Sequence, residues 1–504
     1  MRDEWMLTKM LPARIVYRIG QVRHYRQDLW RYPVIPKGRY VAQHVVHKGY
    51  VPTAPFVNPL GRQTRWLDLR TVNTATRTSR TLKRLTIGLE SRLIVRLHMV
   101  DEDFAWRLAQ ELVRIDSSDP GAYEDEIERH IKALVEERLA RLNHPALDAV
   151  RVEELEVLPG RRNLMVTVPG QSDEPRLVFI CHMDTVTLGD GWNADIAPLG
   201  AVVRDGKLYG RGACDMKGGL ACAIAALVHT LERVAACGVL PRRGFSLICS
   251  VDEEDFMRGS ETAIAAGWVG SHEWVLDTEP TDGQIQVAHK GRTWFEIEMA
   301  GVTAHASQPW KGADAVAAMA EVVCALRHAF AELPVHDELG PSTITFGQIE
   351  GGYRPYVVPD HAKVWVDMRL TPPTDTSAAT RMVEQAIAVA EAVVPGCRGS
   401  YTVTGDRPAI ERDPNSPLLA ALKHAADDMT GTDTTVGFFT GYTDTAVIAG
   451  KTGNRNCMSY GPGSLALAHK PNEYVPHADI VRCQQVLVAL ADNALWGASG
   501  QVGA

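Results

Sequence analysis

The sequence predicts an α/β fold with a mainly parallel sheet in a catalytic domain, interrupted by an inserted α+β domain of two helices and four strands. Three observations carry that reading. Short apolar runs such as "LVFIC" (177–181) and "GFSLICSV" (244–251) read as strands buried on both faces. Helix-length segments alternate with them, as in a sheet covered by helices. Between about 293 and 404 the texture changes to strict alternation, "FEIEM" (295–299) and "KVWVDMRL" (363–370), as half-exposed strands require.

Taken in order, residues 1–98 carry no functional expectation. Residues 1–100 hold 19 Lys and Arg against 5 Asp and Glu, while the remainder holds 34 against 56, for a net charge of -8. That basic stretch reads as a disordered extension or an upstream start, with a nucleic-acid arm as the lesser alternative. At Met99 a clean amphipathic helix begins, with Phe104, Leu108, Leu112 and Ile115 on one face, so Met99 is a plausible start. The catalytic domain is expected to run over 99–292 and 405–497, around an insertion at 293–404. Its first part should contain helices at 102–115 and 125–142, and strands at 163–168 and 177–181. A hairpin should follow at 204–210 with Asp205-Gly206 at its turn, then a small-residue helix at 217–235 and strands at 244–251 and 272–277. The insertion should carry helices at 313–330 and 376–394.

Bulk properties narrow the class. A chain of 504 residues, 45% hydrophobic and 23% charged, is globular and too long for one core. No membrane helix or signal peptide is expected. Nine dispersed cysteines without CxxC spacing fit reduced thiols and a cytoplasmic location.

Polar residues gather where the buried strands stop. His182 and Asp184 follow strand 177–181; Asp252, Glu253, Glu254 and Asp255 follow strand 244–251; Asp277 ends strand 272–277. Asp215 sits in "GRGACDMKGG" and His469 in "GPGSLALAHKPNEYVP". Taken singly, each has a plain structural alternative: a satisfied histidine, a solvated acidic loop, a Gly-rich turn. Their coincidence at one end of one predicted sheet points to a site. Four adjacent acids in a desolvated crevice repel one another unless a divalent cation is present. Imidazole with carboxylate suits zinc best, with cobalt or manganese feasible, and this donor set can hold two ions with one carboxylate bridging.

The motifs "HMDTV", "LYGRGACDMKGG", "DEED", "LDTEPTD", "GVTAHASQPWKGADAV", "VVPDHAKVWVDMRL" and "GPGSLALAHKPNEYV", in this order over 99–495, resemble the dinuclear zinc aminoacylase and carboxypeptidase family. That family includes acetylornithine deacetylase, succinyl-diaminopimelate desuccinylase, aminoacylase and glutamate carboxypeptidase. The resemblance implies that His182, Asp215, Glu254, Asp277 and His469 bind the metals, with Asp215 bridging and the peptide bond after it cis. It implies that Asp184 orients His182 and that Glu253 is the general base. His305 would stabilise the oxyanion in the site of a partner subunit, and Arg369 would pair with a substrate carboxylate. Gly463 would let the backbone approach substrate, and Tyr356 and Tyr442 depart from the family pattern where the substrate pocket is expected. The expectation is a metal-dependent, homodimeric amidohydrolase acting on an N-acyl amino acid. A metallo-dipeptidase or carboxypeptidase is the alternative with the same site, and a non-catalytic binding protein the alternative of another class.

Overall fold

The structure, a computed structural model, describes residues 101–497; Phe56–Val57 and Gln63–Thr64 also form a short antiparallel pair within a separate unit, 1–86. Those four residues aside, the expectations for 1–98 fall outside the described residues.

The first helix, α1 (Phe104–Val113), buries Leu108 and Leu112, with Phe104 and Ile115 partly buried against the same core. Helix α2 (Asp125–Leu142) occupies the predicted interval; Ile127, Ile131 and Val135 form its buried stripe, and Asp125, Glu126 and Glu128 sit in its first turn, where the helix dipole favours acids. Strands β1 (Arg151–Leu158), β2 (Arg161–Val168) and β3 (Leu177–His182) follow, and every residue of β3 is buried. The hairpin forms as predicted, Val202–Arg204 against Lys207–Tyr209, with φ of 49° at Asp205 and 69° at Gly206, as a two-residue turn of this hand demands.

Helix α3 (Lys217–Cys237) is buried over most of its length and packs against the sheet. With a mean hydropathy of 1.6 it is long and apolar enough, by length and composition, to cross a membrane. Its apolarity has a local cause, because 72% of that stretch is enclosed by protein. Then come β4 (Phe245–Ser250), α4 (Arg258–Ala265), β5 (Trp274–Asp277) and β6 (Ile285–His289).

The chain next builds a second sheet from β7 (Gly291–Ala300), β8 (Thr343–Gly351), β9 (His361–Leu370) and β10 (Arg398–Arg407), in the order β8-β9-β7-β10 and antiparallel throughout. Helices α5 (Ala315–Ala331) and α6 (Thr376–Val393) cover one face. Phe295, Ile297, Met299, Val364 and Val366 bury there against Met319, Val322 and Val383. The other face carries the alternate, half-exposed residues.

Helix α7 (Pro417–Thr430), strand β11 (Val436–Phe439), helix α8 (Asp444–Thr452), strand β12 (Cys457–Ser459) and helix α9 (His477–Trp496) complete the first sheet and its cover. That sheet has eight strands in the order β11-β6-β12-β5-β3-β4-β2-β1. The central run β12-β5-β3-β4 is parallel, whereas β2 and β1 are antiparallel to their neighbours. The C-terminal ends of β3, β4, β5 and β12 therefore face one crevice, the usual ligand position in open α/β sheets.

Candidate metal centre

Each strand end delivers a polar group. His182 is the last residue of β3, Glu253 and Glu254 lie just past β4, and Asp215 stands before α3. His469 comes from the loop after β12, with φ of 62°. The structure brings these distant segments together. His182 Nε2 is 3.3 Å from Asp215 Oδ1, while His469 Nε2 is 3.4 Å from Asp215 Oδ2 and 2.9 Å from Glu254 Oε2. Each oxygen of Asp215 thus faces a different imidazole. Glu253 Oε2 lies 4.0 Å from His182 Nε2. The link from Asp215 to Met216 is cis, as the resemblance implies.

The tautomer of His182 follows from its other nitrogen. Nδ1–H donates to the Asp184 main-chain oxygen at 3.0 Å, leaving the Nε2 lone pair aimed at the cluster. Asp184 does this with its carbonyl; its carboxylate Oδ1 is 3.7 Å away, and Oδ2 accepts the Glu254 N–H at 3.0 Å. The carboxylate of Asp184 therefore fixes the loop that carries Glu254.

Asp277 is not in the cluster. It is buried at the end of β5, where its Oδ2 accepts from Thr445 Oγ1 at 2.7 Å and so ties α8 to the sheet. Glu279, two residues on, takes the place expected of it: Glu279 Oε1 lies 3.7 Å from His182 Nε2 and groups with His182 and Glu253. Two glycines make that possible. A Cβ on Gly219 would stand 2.1 Å from Thr278 O, and one on Gly461 would stand 2.2 Å from Thr278 O and 2.4 Å from Glu279 O. The backbone bearing Glu279 is thus pressed between α3 and the loop after β12. The motif "LDTEPTD" contains Glu279, and this squeeze by glycines distant in sequence is what a reading along the chain misses.

Two further expectations change. Arg369 is engaged within its own strand, its Nε and Nη2 held by Asp367 at 2.8 and 3.1 Å, so one edge of its guanidinium is already taken. Gly463 has φ of 76°, and a Cβ there would meet Cys214 Sγ at 2.7 Å; its smallness serves packing against the loop that carries Asp215. His305 and Tyr356 are exposed neighbours on the second sheet's flank; His305 Nδ1 is 2.8 Å from Ser307 Oγ and makes no polar contact with the cluster. Tyr442, by contrast, is buried and donates its hydroxyl to Pro408 O at 3.0 Å.

The electrostatics fit cations. Burial first, then the charge of Asp215, raises the Glu254 carboxyl above its ordinary 4.5. Burial, Asp215 and Glu253 push Glu279 well above the same value, and burial with Asp444 and Glu254 pushes Glu253 well above it. His469 is raised to about 10 by its hydrogen bonds with Asp215 and Glu254. Burial alone would raise Asp215, yet His182 and His469 hold it below 3.8. Glu254 Oε1 is buried without a hydrogen-bond partner. Acceptors that face one another in a buried space need protons or cations between them. One group holds the Asp215, Glu254 and His182 donors, the other His182, Glu253 and Glu279.

A third acidic group, Asp119, Glu124 and Asp184, already holds a cation of its own. Arg161 sits in it, with Nε 2.7 Å from Glu124 Oε2 and Nη2 2.7 Å from Asp119 Oδ2. Glu124 Oε1 in turn accepts the Asp252 N–H at 3.1 Å, at a residue with φ of 67°. This clamp shapes the turn that presents Glu253 and Glu254. A second support is Glu473, which accepts from Cys214 and Asp215 N–H at 2.9 and 3.1 Å and pairs with Arg211 at 2.7 Å.

An α/β sheet whose strand ends assemble two imidazoles and at least three carboxylates has the donors of a divalent-metal hydrolase site; the family match that follows makes it a metallohydrolase acting on amide or peptide bonds. The family model described as Peptidase family M20/M25/M40 matches residues 178–493, and the chain belongs to that family. It is 27% identical over 353 residues to a probable succinyl-diaminopimelate desuccinylase of Staphylococcus aureus (strain N315), covering 65% of this chain and 84% of that one. It is 26% identical over 362 residues to acetylornithine deacetylase of Myxococcus xanthus, covering 70% and 90%. Its fold is similar to the crystal structure of aminopeptidase PepT from Bacillus cereus ATCC 10987, with a TM-score of 0.61 at 21% identity, covering 78% of this chain and 99% of that one.

Proposed function

We propose that the chain removes an N-acyl group from an amino acid, using two divalent ions, zinc by preference, held by His182, Asp215, Glu254, Glu279 and His469. The observation that carries this reading is Asp215, whose two oxygens each face a different imidazole while Glu253 stands alongside. Such ions supply a polarised carbonyl and a water that loses its proton near neutral pH. Glu253 is the base: buried and, among the described residues, not paired to any cationic side chain other than His182, it takes that proton and returns it to the leaving nitrogen. Asp184, Glu124 and Arg161 hold the loop that aims it. Relatives named as a desuccinylase and a deacetylase, at 27% and 26% identity, support an acyl substrate, while one named as a probable carboxypeptidase, at 26%, supports the peptide alternative. The presence of Glu253 opposes a purely binding role.

The test is a panel of N-acetyl, N-formyl and N-succinyl amino acids and dipeptides, assayed with zinc and with cobalt, alongside metal analysis. Glu253→Gln should lower turnover by about 10²- to 10⁴-fold while retaining metal. Bound metal with no turnover on any amide would favour the binding protein. Because His305 has no contact with the cluster of its own chain, we assign its action to a second copy. Mixing inactive Glu253→Ala and His305→Ala chains should then restore part of the activity, since one site in the mixed dimer keeps both groups. No recovery after subunit exchange would remove His305 from the site.

A further inference from the structure

His469 is the most exposed of the proposed metal ligands. Its side chain is 52% exposed, and it stands with φ of 62° in the loop between β12 and Tyr474. The imidazole nonetheless reaches both Asp215 and Glu254. Packing does not fix that reach, so something else must hold this loop against the one that carries Asp215. The pair of Arg211 and Glu473, both buried, does so.

Glu473 lies shortly after His469 in the chain, and Arg211 shortly before Asp215. Glu473 Oε1 accepts both the Cys214 and the Asp215 N–H, at 2.9 and 3.1 Å, while Oε2 accepts from Arg211 Nη1 at 2.7 Å. One carboxylate thus grips the main chain at Asp215 itself. Arg211 grips in the other direction. Its Nη1 also donates to Lys470 O at 3.4 Å, beside His469, and Nε and Nη2 donate to Thr187 O and Leu188 O at 3.1 and 3.3 Å. All three nitrogens are engaged, and the Trp192 ring covers the guanidinium with its centroid 5.4 Å from Cζ. The segment that carries Trp192 also holds the His469 loop directly, because Asn193 N–H donates to Asn472 Oδ1 at 2.9 Å.

The remaining ligands are placed by other means. His182 closes β3 and is oriented by the Asp184 carbonyl; Glu254 N–H is held by Asp184 Oδ2; Glu279 is set by the backbone pressed between Gly219 and Gly461. Nor does stability explain the pair, since a buried ion pair is often no better than apolar residues of the same volume.

Resting on the two-ion reading of the centre, we infer that Arg211 and Glu473 are positioning residues that set the span between Asp215 and His469. They therefore secure the ion on the Asp215 Oδ2 side and matter much less to the ion on the Oδ1 side, beside His182. The arginine fork is essential to this, because a lysine is a point charge that can pair with Glu473 but cannot also reach three carbonyls. Neither residue touches substrate.

The test is a zinc titration of the metal-free full chain by calorimetry, with cobalt absorption followed in parallel. Glu473→Gln should weaken one of the two ions by about 10- to 100-fold and leave the other within about twofold. Arg211→Lys should show the same selective loss to a smaller extent. It keeps the buried charge pair, so it carries the test if Glu473→Gln fails to fold. His469→Ala should weaken the same ion, and adding Glu473→Gln to it should bring little further loss, since both act on one ion. Equal losses at both ions, no loss in Arg211→Lys, or fully additive losses in the double variant would overturn the inference. Two ions in the unaltered chain with selective loss in the variants, but no hydrolysis of any amide, would sink the amidohydrolase reading and leave the positioning role standing. An unaltered chain that binds fewer than two ions would sink the two-ion centre and this inference with it.

Discussion

The residues that decide the chemistry are separated by very small steps along the chain. Asp277 and Glu279 are two positions apart, both buried, yet one fastens α8 through Thr445 and the other faces His182. Their variants should part company accordingly. Glu279→Ala should lower bound metal after dialysis, read by elemental analysis, and cut turnover. Asp277→Asn should retain metal but lose stability by about 1–3 kcal/mol, because the buried hydrogen bonds around Thr445 are remade with a neutral partner. Retention of the full metal complement by Glu279→Ala would return the role to another acid. The sequence exposes the acidic motif and the histidines plainly, since isolated polar groups after apolar runs have few structural uses. It hides which acid turns inward, because that depends on Gly219 and Gly461 admitting the backbone of residues 278–279.

At the scale of elements, helices with a full apolar stripe are legible and edge strands are not. The bounds of α2 agree with its periodicity to the residue, and α5 and α6 fall within a few positions of those expected. Strand β1 escapes notice because Glu153, Glu154 and Glu156 break its alternation; it pairs only with β2 and needs little apolar surface. Strand β10 is largely exposed for the same reason. Long-range ion pairs between elements are invisible in sequence altogether. Arg161 of β2 joins Glu124, at the head of α2, to the turn after β4, across segments that no local pattern connects. Arg161→Met should leave Glu124 buried without its partner and cost about 3–5 kcal/mol, seen as a lower urea midpoint. The double variant Arg161→Met with Glu124→Leu should recover much of that stability yet keep turnover low, since Asp252 would still lose the acceptor for its N–H. Full activity in the double variant would show that the clamp does not aim Glu253.

For the whole molecule, the buried carboxylates couple stability to pH and to metal. Without metal, Glu253, Glu254 and Glu279 have folded-state pKa values above their ordinary 4.5, Asp444 stands at about 6 and Glu473 at about 7, burial being the first cause in each. His469 is raised from 6.5 to about 10, and His182 is also raised. A raised folded-state pKa means that the folded chain holds the proton more tightly. Its stabilising contribution is complete below the unfolded value and is lost as pH rises through the folded one. Asp215 has the opposite sign, but its contribution is lost only on acidification below 3.8, outside this range. The raised cluster groups therefore act together and outnumber His289, lowered by burial to about 4, and Lys217, lowered by burial to about 8, which act with the opposite sign; the chelated protein should unfold at progressively lower temperature between about pH 5 and about pH 9. Divalent ions reverse the trend, because they take the place of the protons and bind better as the ligands deprotonate. Zinc should raise the unfolding temperature little at the acid end of that range and most at the alkaline end. A general accumulation of negative charge would also lower stability with pH, so the control is Glu253→Gln with Glu279→Gln. Removing two of the carboxylates that compete for the same buried space should flatten the chelated profile. An unchanged slope in that variant would mean that the coupling resides in surface charge and that the cluster does not demand a cation.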